Sequence, residues 1–158
     1  MMSASGENFI QSENSLTAAM IFAAGLGTRL KPWTDHHPKA LAVVNGKPLL
    51  QRNIEYLKGF GITNLLINVH HFADQVIEFL EANDHFNCNI TVSHEKEEPL
   101  ETGGGLKKAA WFLQPHDPFF VINADILTSL NINDMLQFHN RHKIPEQPFD
   151  YQKQNRLN

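Results

Sequence analysis

Short apolar runs alternate with segments of helical periodicity, and this alternation limits the possible folds of the chain more than any other feature. Apolar or β-branched runs predict buried strands over residues 18–23, 64–69, 89–93 and 119–123. Apolar residues recur at helical spacing over residues 48–57, 72–80, 104–113 and 132–142. The resulting β-α-β-α-β-α-β-α order predicts an α/β fold with a mostly parallel sheet and helices on its faces.

The periodic pattern defines one domain, which we place at residues 17–144 of the 158-residue chain. Residues 1–16 lack the basic end and apolar core of a signal peptide, so we expect a disordered lead-in or an artefact of an upstream start site. Residues 145–158 contain two prolines and many amides without apolar periodicity, which predicts an irregular tail. We therefore expect the fold to be incomplete at its carboxyl end, as after a frameshift or in a truncated gene model.

The composition excludes several classes of partner. A formal net charge of -4 argues against a nucleic-acid partner, which usually leaves a basic footprint. No apolar run approaches the roughly 20 residues that a membrane span requires. The single cysteine, Cys88, cannot form an internal disulfide, which is typical of a cytoplasmic protein, and we expect that location.

The first apolar run ends in a glycine turn, and two cationic residues follow that turn. Gly25 and Gly27 form a G-x-G-T turn, Arg29 follows at once, and Lys39 comes ten residues later. In a parallel sheet this turn lies at the carboxyl edge, where α/β proteins bind anions. Glycine lets the backbone approach a phosphate, and the two cations add fixed positive charge. The segment therefore predicts a nucleoside triphosphate site.

The same turn fits a dinucleotide-binding unit poorly. Leu30 stands where that fingerprint has its third glycine, and Pro32 and Pro38 indicate a long loop instead of a helix. The second strand ends in Asn68 and Val69 without the acidic residue that would bind a ribose. We therefore prefer a triphosphate to a dinucleotide.

Further fixed positions extend this motif into a family pattern of G-x-G-T-R, then P-K, then G-K-P. The matching residues are Gly25, Gly27, Thr28, Arg29, Pro38, Lys39, Gly46, Lys47 and Pro48. On these residues the chain resembles the sugar-1-phosphate nucleotidyltransferases over residues 18–144, and most of all those that act on mannose-1-phosphate and N-acetylmuramate-1-phosphate. The resemblance implies a Rossmann-like three-layer α/β/α fold, the nucleotide-diphospho-sugar transferase fold, incomplete at its carboxyl end.

The resemblance also implies a reaction and its substrates. An oxygen of a sugar-1-phosphate attacks the α-phosphorus of a nucleoside triphosphate, here GTP or UTP, and yields a nucleoside-diphosphate sugar and pyrophosphate for cell-envelope or polysaccharide synthesis. Arg29 and Lys39 are the implied catalytic residues, Arg29 at the departing pyrophosphate and Lys39 at the reacting phosphates. The implied nucleotide-binding residues are Ala24, Gly25, Leu26, Gly27, Thr28, Gly103 and Gly104.

Two assignments, those of Asp125 and of the run of glycines, concern turns that also have plain structural explanations. Asp125 closes the fourth strand, where the family has a Mg²⁺ ligand, although an aspartate at a turn is common. The run of three glycines after Thr102 would read the base through its backbone, or would only give a tight entry to a helix. Asn68 or His70 could line the base or ribose pocket. We expect Trp33 and Trp111 to serve in packing.

The motifs also fit a nucleotide-binding relative that has lost catalysis. Both hypotheses require the same residues up to position 144, so the motifs do not separate them. Release of pyrophosphate from a nucleoside triphosphate and a sugar-1-phosphate would separate them.

Overall fold

A computed structural model describes residues 16–96, 100 and 102–142. The expected lead-in lies outside these residues except for its last position, and the expected tail over residues 145–158 lies outside them entirely, as does Glu101. The chain divides into two compact units, Met1–Thr128 and Ser129–Asn158.

Strands and helices alternate along the chain as the sequence predicts. The strands are β1 (Ala18–Phe22), β2 (Val43–Val44), β3 (Lys47–Pro48), β4 (Asn64–Val69), β5 (Asn89–His94) and β6 (Phe120–Asn123). The helices are α1 (Leu49–Gly59), α2 (Ala73–Ala82), α3 (Thr102–Leu113) and α4 (Ile132–Arg141). The predicted strands correspond to β1, β4, β5 and β6, and each helix lies within two residues of its predicted bounds at either end.

The four longer strands form one parallel sheet in the order β5-β4-β1-β6. The expected mostly parallel α/β fold is thus confirmed. Strands β2 and β3 form a separate antiparallel hairpin that the periodicity did not predict.

The order of strands reverses at β1. The chain adds β4 and β5 on one side of β1 and then places β6 on the other side. Phe22, the last residue of β1, is therefore in register with Asn68 of β4 and with Asn123 of β6. A crevice opens at the carboxyl ends of parallel strands where the order reverses, and ligands bind there in α/β proteins.

The central strands are buried along their length except for one half-buried end residue each, Phe22 of β1 and Asn64 of β4. Met20 and Ile21 of β1 and Leu66 and Ile67 of β4 are completely inaccessible to solvent. Burial on both faces explains why these strands appear in the sequence as continuous apolar runs. One core cluster joins the sheet to α3, and its buried members are Ala18, Met20, Leu66, Ala109, Phe112 and Leu113.

Helices α1 and α2 each bury an apolar stripe. In α1 the buried apolar residues are Leu49, Leu50, Ile54 and Leu57, as the spacing predicts. We expected Pro48 to be the first residue of α1. It instead directly precedes the helix, which begins at Leu49. In α2 the buried residues are Ala73, Val76 and Leu80.

Helix α4 belongs to the second unit and is capped by a side chain at its start. Asn131 Oδ1 accepts hydrogen bonds from the backbone N–H groups of Asn133, at 3.0 Å, and Asp134, at 3.4 Å. This is the arrangement of an asparagine N-cap. Among the described residues, no helix has the length and apolar character needed to cross a membrane.

Candidate functional site

A cavity of about 440 Å³ lies at the carboxyl ends of β1, β4 and β6. Most of the residues predicted for a phosphate site line it, namely Ala24, Gly25, Leu26, Gly27, Thr28, Lys39 and Asp125. The two asparagines in register with Phe22 line it as well. The reversal of the sheet thus brings together residues that are far apart in the sequence.

Gly27 fixes the shape of the turn that follows β1. Its φ of 63° lies in the left-handed region, which favours glycine. A Cβ at this position would lie 2.9 Å from Lys39 Cβ and 3.0 Å from Thr34 Cγ2. The buried Thr34 side chain also donates a hydrogen bond from Oγ1 to the Gly27 carbonyl oxygen at 2.9 Å. The turn is therefore packed tightly against the loop that carries Lys39.

Lys39 and Asp125 form an ion pair at the wall of the cavity. Lys39 Nζ donates to Asp125 Oδ2, and the side chains are 32% and 40% exposed. Lys39 begins the short 3₁₀ helix Lys39–Leu41, and Asp125 lies two residues after the end of β6. The pair therefore places one cation and one carboxylate within reach of a ligand in the cavity.

Two hydrogen bonds hold the backbone next to Asp125. The Ala124 N–H donates to the Phe22 carbonyl oxygen at 2.9 Å, which continues the pairing of β1 with β6. The Ala124 carbonyl oxygen accepts from Nδ2 of Asn53, a buried residue of α1, also at 2.9 Å. Ala124 itself is buried, which agrees with a small residue at this position.

Asn68 connects the glycine turn to a buried carboxylate. Its Oδ1 accepts from the Ala23 N–H at 2.8 Å, and its Nδ2 donates to Glu95 Oε1 at 2.9 Å. Glu95 is 2% exposed and also accepts from the Leu100 N–H through Oε2 at 2.8 Å. Sequence reasoning named Asn68 as one candidate for the pocket and missed Glu95, since a lone glutamate after a strand carries no motif. His70 does not line the cavity, and its Nδ1 lies 2.6 Å from the Glu95 carbonyl oxygen.

The glycines predicted to read the base lie in the first turn of α3. Gly103 and Gly104 are not among the residues that line the cavity, whereas Leu100 and Thr102 are. The close approach occurs at Gly105, where a Cβ would lie 2.9 Å from Phe22 Cε1. The run of three glycines in the sequence indicated that the backbone is closely approached here. Of the three, Gly105 is the position at which packing leaves the least room for a side chain.

Arg29 lies outside the cavity lining. It is the exposed middle residue of the short 3₁₀ helix Thr28–Leu30. Within the described part of the chain, no hydrogen bond or ion pair joins its side chain to another residue. Its contact with a departing pyrophosphate stays a prediction.

The two tryptophans, which we expected to serve in packing, differ in their exposure. Trp33 is 39% exposed and its ring lies 4.8 Å from that of His37. Trp111 is 65% exposed on α3, so the expectation that it packs is wrong. Its neighbour Phe112 takes the buried position on that turn of the helix.

A parallel sheet with a glycine turn, a lysine and an aspartate at its point of reversal defines a class of α/β protein suited to phosphate-bearing ligands. Comparison with known proteins identifies the family. The family model described as nucleotidyl transferase matches residues 18–147. The chain belongs to the nucleotidyl transferase family.

Curated relatives and a solved structure agree with this family. Mannose-1-phosphate guanyltransferase beta-B of Xenopus laevis is 37% identical over 126 residues, which are 78% of this chain and 35% of the relative. N-acetylmuramate alpha-1-phosphate uridylyltransferase of Caulobacter vibrioides is 42% identical over 109 residues, 68% of this chain and 45% of the relative. HddC from Yersinia pseudotuberculosis, complexed with GMP-PN, matches with a TM-score of 0.68 and 31% identity over 78% of this chain and 54% of HddC.

The chain spans 35% to 45% of the length of these two curated relatives. The shared region carries the glycine turn, Lys39 and Asp125, because the family match covers residues 18–147.

Proposed function

We propose that this chain forms the nucleotide-binding part of a sugar-1-phosphate nucleotidyltransferase of the cytoplasm. The observation that carries the proposal is that the glycine turn, Lys39 and Asp125 line the same cavity. The reaction transfers a nucleoside monophosphate from a nucleoside triphosphate to a sugar-1-phosphate. The new bond joins a sugar-phosphate oxygen to the α-phosphorus, and the bond from the α-phosphorus to the bridging oxygen of pyrophosphate breaks.

Positioning and charge neutralisation are the main tasks of a protein in such a transfer. The backbone from Ala24 to Thr28 would cradle the triphosphate, because these residues line the cavity and a glycine turn after a strand can offer backbone N–H groups to an anion. Lys39 would neutralise charge that develops on the reacting phosphates. Arg29, exposed at the end of the same turn, would bind the departing pyrophosphate.

Asp125 would hold a Mg²⁺ ion against the phosphates. The donor set fits this ion, because Mg²⁺ is usually bound by one or two carboxylates together with water and substrate phosphates. A single exposed carboxylate at the cavity wall matches that pattern, and its present partner is an exchangeable ammonium group. When bound, the ion would offset the negative charge of the triphosphate.

GTP and UTP are the nucleotides that we propose. One similar protein is named a guanyltransferase, another a uridylyltransferase, and HddC was solved with GMP-PN. The base would lie near Leu100, Thr102 and Asn68, which also line the cavity.

Direct binding tests the proposal on the chain as it exists. Calorimetric titration of the 158-residue protein with GTP, UTP, ATP and CTP, in the presence of millimolar Mg²⁺, should show saturable binding of GTP or UTP. A second assay couples pyrophosphate release to each nucleotide paired with mannose-, glucose- or N-acetylmuramate-1-phosphate. Failure to bind any nucleotide would overturn the proposal. Binding without pyrophosphate release from any pair would instead favour the non-catalytic relative.

A further inference from the structure

Glu95 is a buried carboxylate for which the proposed chemistry has no use. It lies directly after β5, is 2% exposed, and is the only acidic residue among the buried polar residues of the described chain. Burial of a carboxylate is unfavourable unless hydrogen bonds satisfy its oxygens. Both oxygens of Glu95 are satisfied, and each bond leads to a residue that lines the cavity.

The hydrogen bonds of Glu95 connect the ends of three neighbouring strands. Glu95 Oε1 accepts from Asn68 Nδ2 at 2.9 Å, and Asn68 Oδ1 accepts from the Ala23 N–H at 2.8 Å. Ala23 directly precedes the turn that begins at Ala24. Glu95 Oε2 accepts from the Leu100 N–H at 2.8 Å, just before α3. One side chain thus joins the turn after β1 to the segment that enters α3.

The chemistry of the groups fixes the direction of each bond. A backbone N–H can only donate, so the Asn68 atom that faces Ala23 must be the oxygen and the atom that faces Glu95 must be the amide nitrogen. Glu95 must then accept at both positions, since Leu100 also offers an N–H. An amide at position 95 would leave two donors facing each other.

Helix α3 packs close to this network. A Cβ on Gly105 would lie 3.4 Å from Asn68 Nδ2 and 3.6 Å from Glu95 Oε1, as well as 2.9 Å from Phe22. The first turn of α3 therefore lies directly against the Asn68–Glu95 pair.

We propose that Glu95 is a positioning residue for the nucleotide site, which it serves by holding Asn68 and Leu100 in place. The proposal rests on the proposed function and assigns to Glu95 a role in nucleotide affinity. Glu95 acts through the backbone of Ala23 and Leu100, and its carboxylate makes no contact with the cavity in this role.

Each single substitution should weaken nucleotide binding, because it leaves two donors or two acceptors facing each other in the hydrogen-bond network. Glu95→Gln sets a donor against a donor, and Asn68→Asp sets a carboxylate against a carboxylate. Each should raise the dissociation constant for GTP or UTP, whichever the unmodified protein binds, by about tenfold, the effect of one unsatisfied buried polar group.

The exchange of both groups provides the decisive test. In the double variant Asn68→Asp with Glu95→Gln, the new amide donates to the new carboxylate and still accepts from the Leu100 N–H. The other carboxylate oxygen accepts from the Ala23 N–H, and the net charge of the pair is unchanged. Nucleotide affinity should return to within about threefold of the original, so the two effects are non-additive.

Val76→Ala on α2 is the control for general loss of stability, because Val76 is buried and does not line the cavity. It should lower the melting temperature and leave the dissociation constant unchanged, with all titrations made well below each melting transition. If the protein binds nucleotide and the single variants bind equally well, the role of Glu95 is refuted. The role is also refuted if the double variant is as weak as the worse single variant. Absence of binding by the unmodified protein refutes the proposed function itself.

Discussion

Lys39 donates a hydrogen bond to Asp125 across 86 positions of sequence, and both side chains line the same cavity. Each residue therefore has a partner before a ligand arrives. A triphosphate would compete with Asp125 for the lysine ammonium, and a divalent cation would compete with Lys39 for the carboxylate. The pair links the binding of the anion to the binding of the cation.

Asp125→Asn should therefore change nucleotide affinity in opposite directions with and without Mg²⁺. Without the ion, loss of the carboxylate releases Lys39 and removes a negative charge, so the nucleotide should bind a few-fold more tightly. With saturating Mg²⁺, loss of the ligand should weaken binding by about tenfold. Calorimetric titrations at fixed ionic strength, with EDTA or with Mg²⁺, measure both effects.

Lys39→Gln is the matched control for this pair. It removes the cation and leaves the carboxylate, so binding should be weaker under both conditions. A variant Asp125→Asn whose affinity falls equally with EDTA and with Mg²⁺ would show that Asp125 does not act through the ion.

The fold was predictable because the sheet is parallel and its two central strands, β1 and β4, are largely buried. Strands covered on both faces are continuous apolar runs, and the residues 64–69 predicted for the second strand are those of β4, Asn64–Val69. The β2–β3 hairpin was missed because each strand has two residues, too few to show an alternating pattern. Its Asn45-Gly46 turn is a hairpin signal that could have found it.

The site was only partly predictable. Gly27, Lys39 and Asp125 lie in motifs, and the reversal of strand order brings them to one cavity. Asn53 and Glu95 lie in no motif. Asn53 donates to the Ala124 carbonyl oxygen, 71 positions away, and Glu95 accepts from the Asn68 side chain, 27 positions away. Packing of this kind depends on three-dimensional proximity, which spacing along the chain does not specify.

Arg29→Ala should impair catalysis without affecting the fold. The side chain is exposed and does not line the cavity, so the free energy of unfolding should change by no more than about 0.5 kcal/mol. If pyrophosphate release is measurable, its rate should fall by about a hundredfold, because a charged group at the leaving phosphates would be lost. Arg29→Lys, which keeps the charge but lacks the bidentate fork, should lose less activity. Equal rates for all three proteins would remove Arg29 from the site.

The Lys47–Glu55 ion pair should make a small contribution to stability that depends on pH. Glu55 Oε2 accepts from Lys47 Nζ at 2.6 Å, and Oε1 accepts from Gln51 Nε2 at 2.8 Å. The bond from Lys47, followed by that from Gln51, lowers the pKa of Glu55. A lowered pKa in the folded state gives stability that is present above the pKa of the unfolded chain and is lost as the pH falls through the folded value.

Glu55→Gln should therefore reduce the free energy of unfolding at pH 7 by at most about 0.5 kcal/mol, because both side chains of the pair are more than 40% exposed. The difference between the proteins should shrink as the pH falls through the lowered pKa of Glu55. Urea denaturation at pH 7 and at pH 3.5 measures it. A deficit that is larger at pH 3.5 than at pH 7 would contradict the assignment of the pair.

Alanine at two glycines of α3 should have opposite effects on stability. A Cβ at Gly103 meets no atom within 4 Å, so Gly103→Ala should gain helix propensity and stabilise the protein by up to about 1 kcal/mol. A Cβ at Gly105 would lie 2.9 Å from the ring of Phe22 and close to Asn68 and Glu95. Gly105→Ala should destabilise the protein by about 1–3 kcal/mol, the range for overpacking a core. Thermal and urea unfolding of both variants measures the difference, and equal stability of the two would show that α3 does not approach β1 this closely.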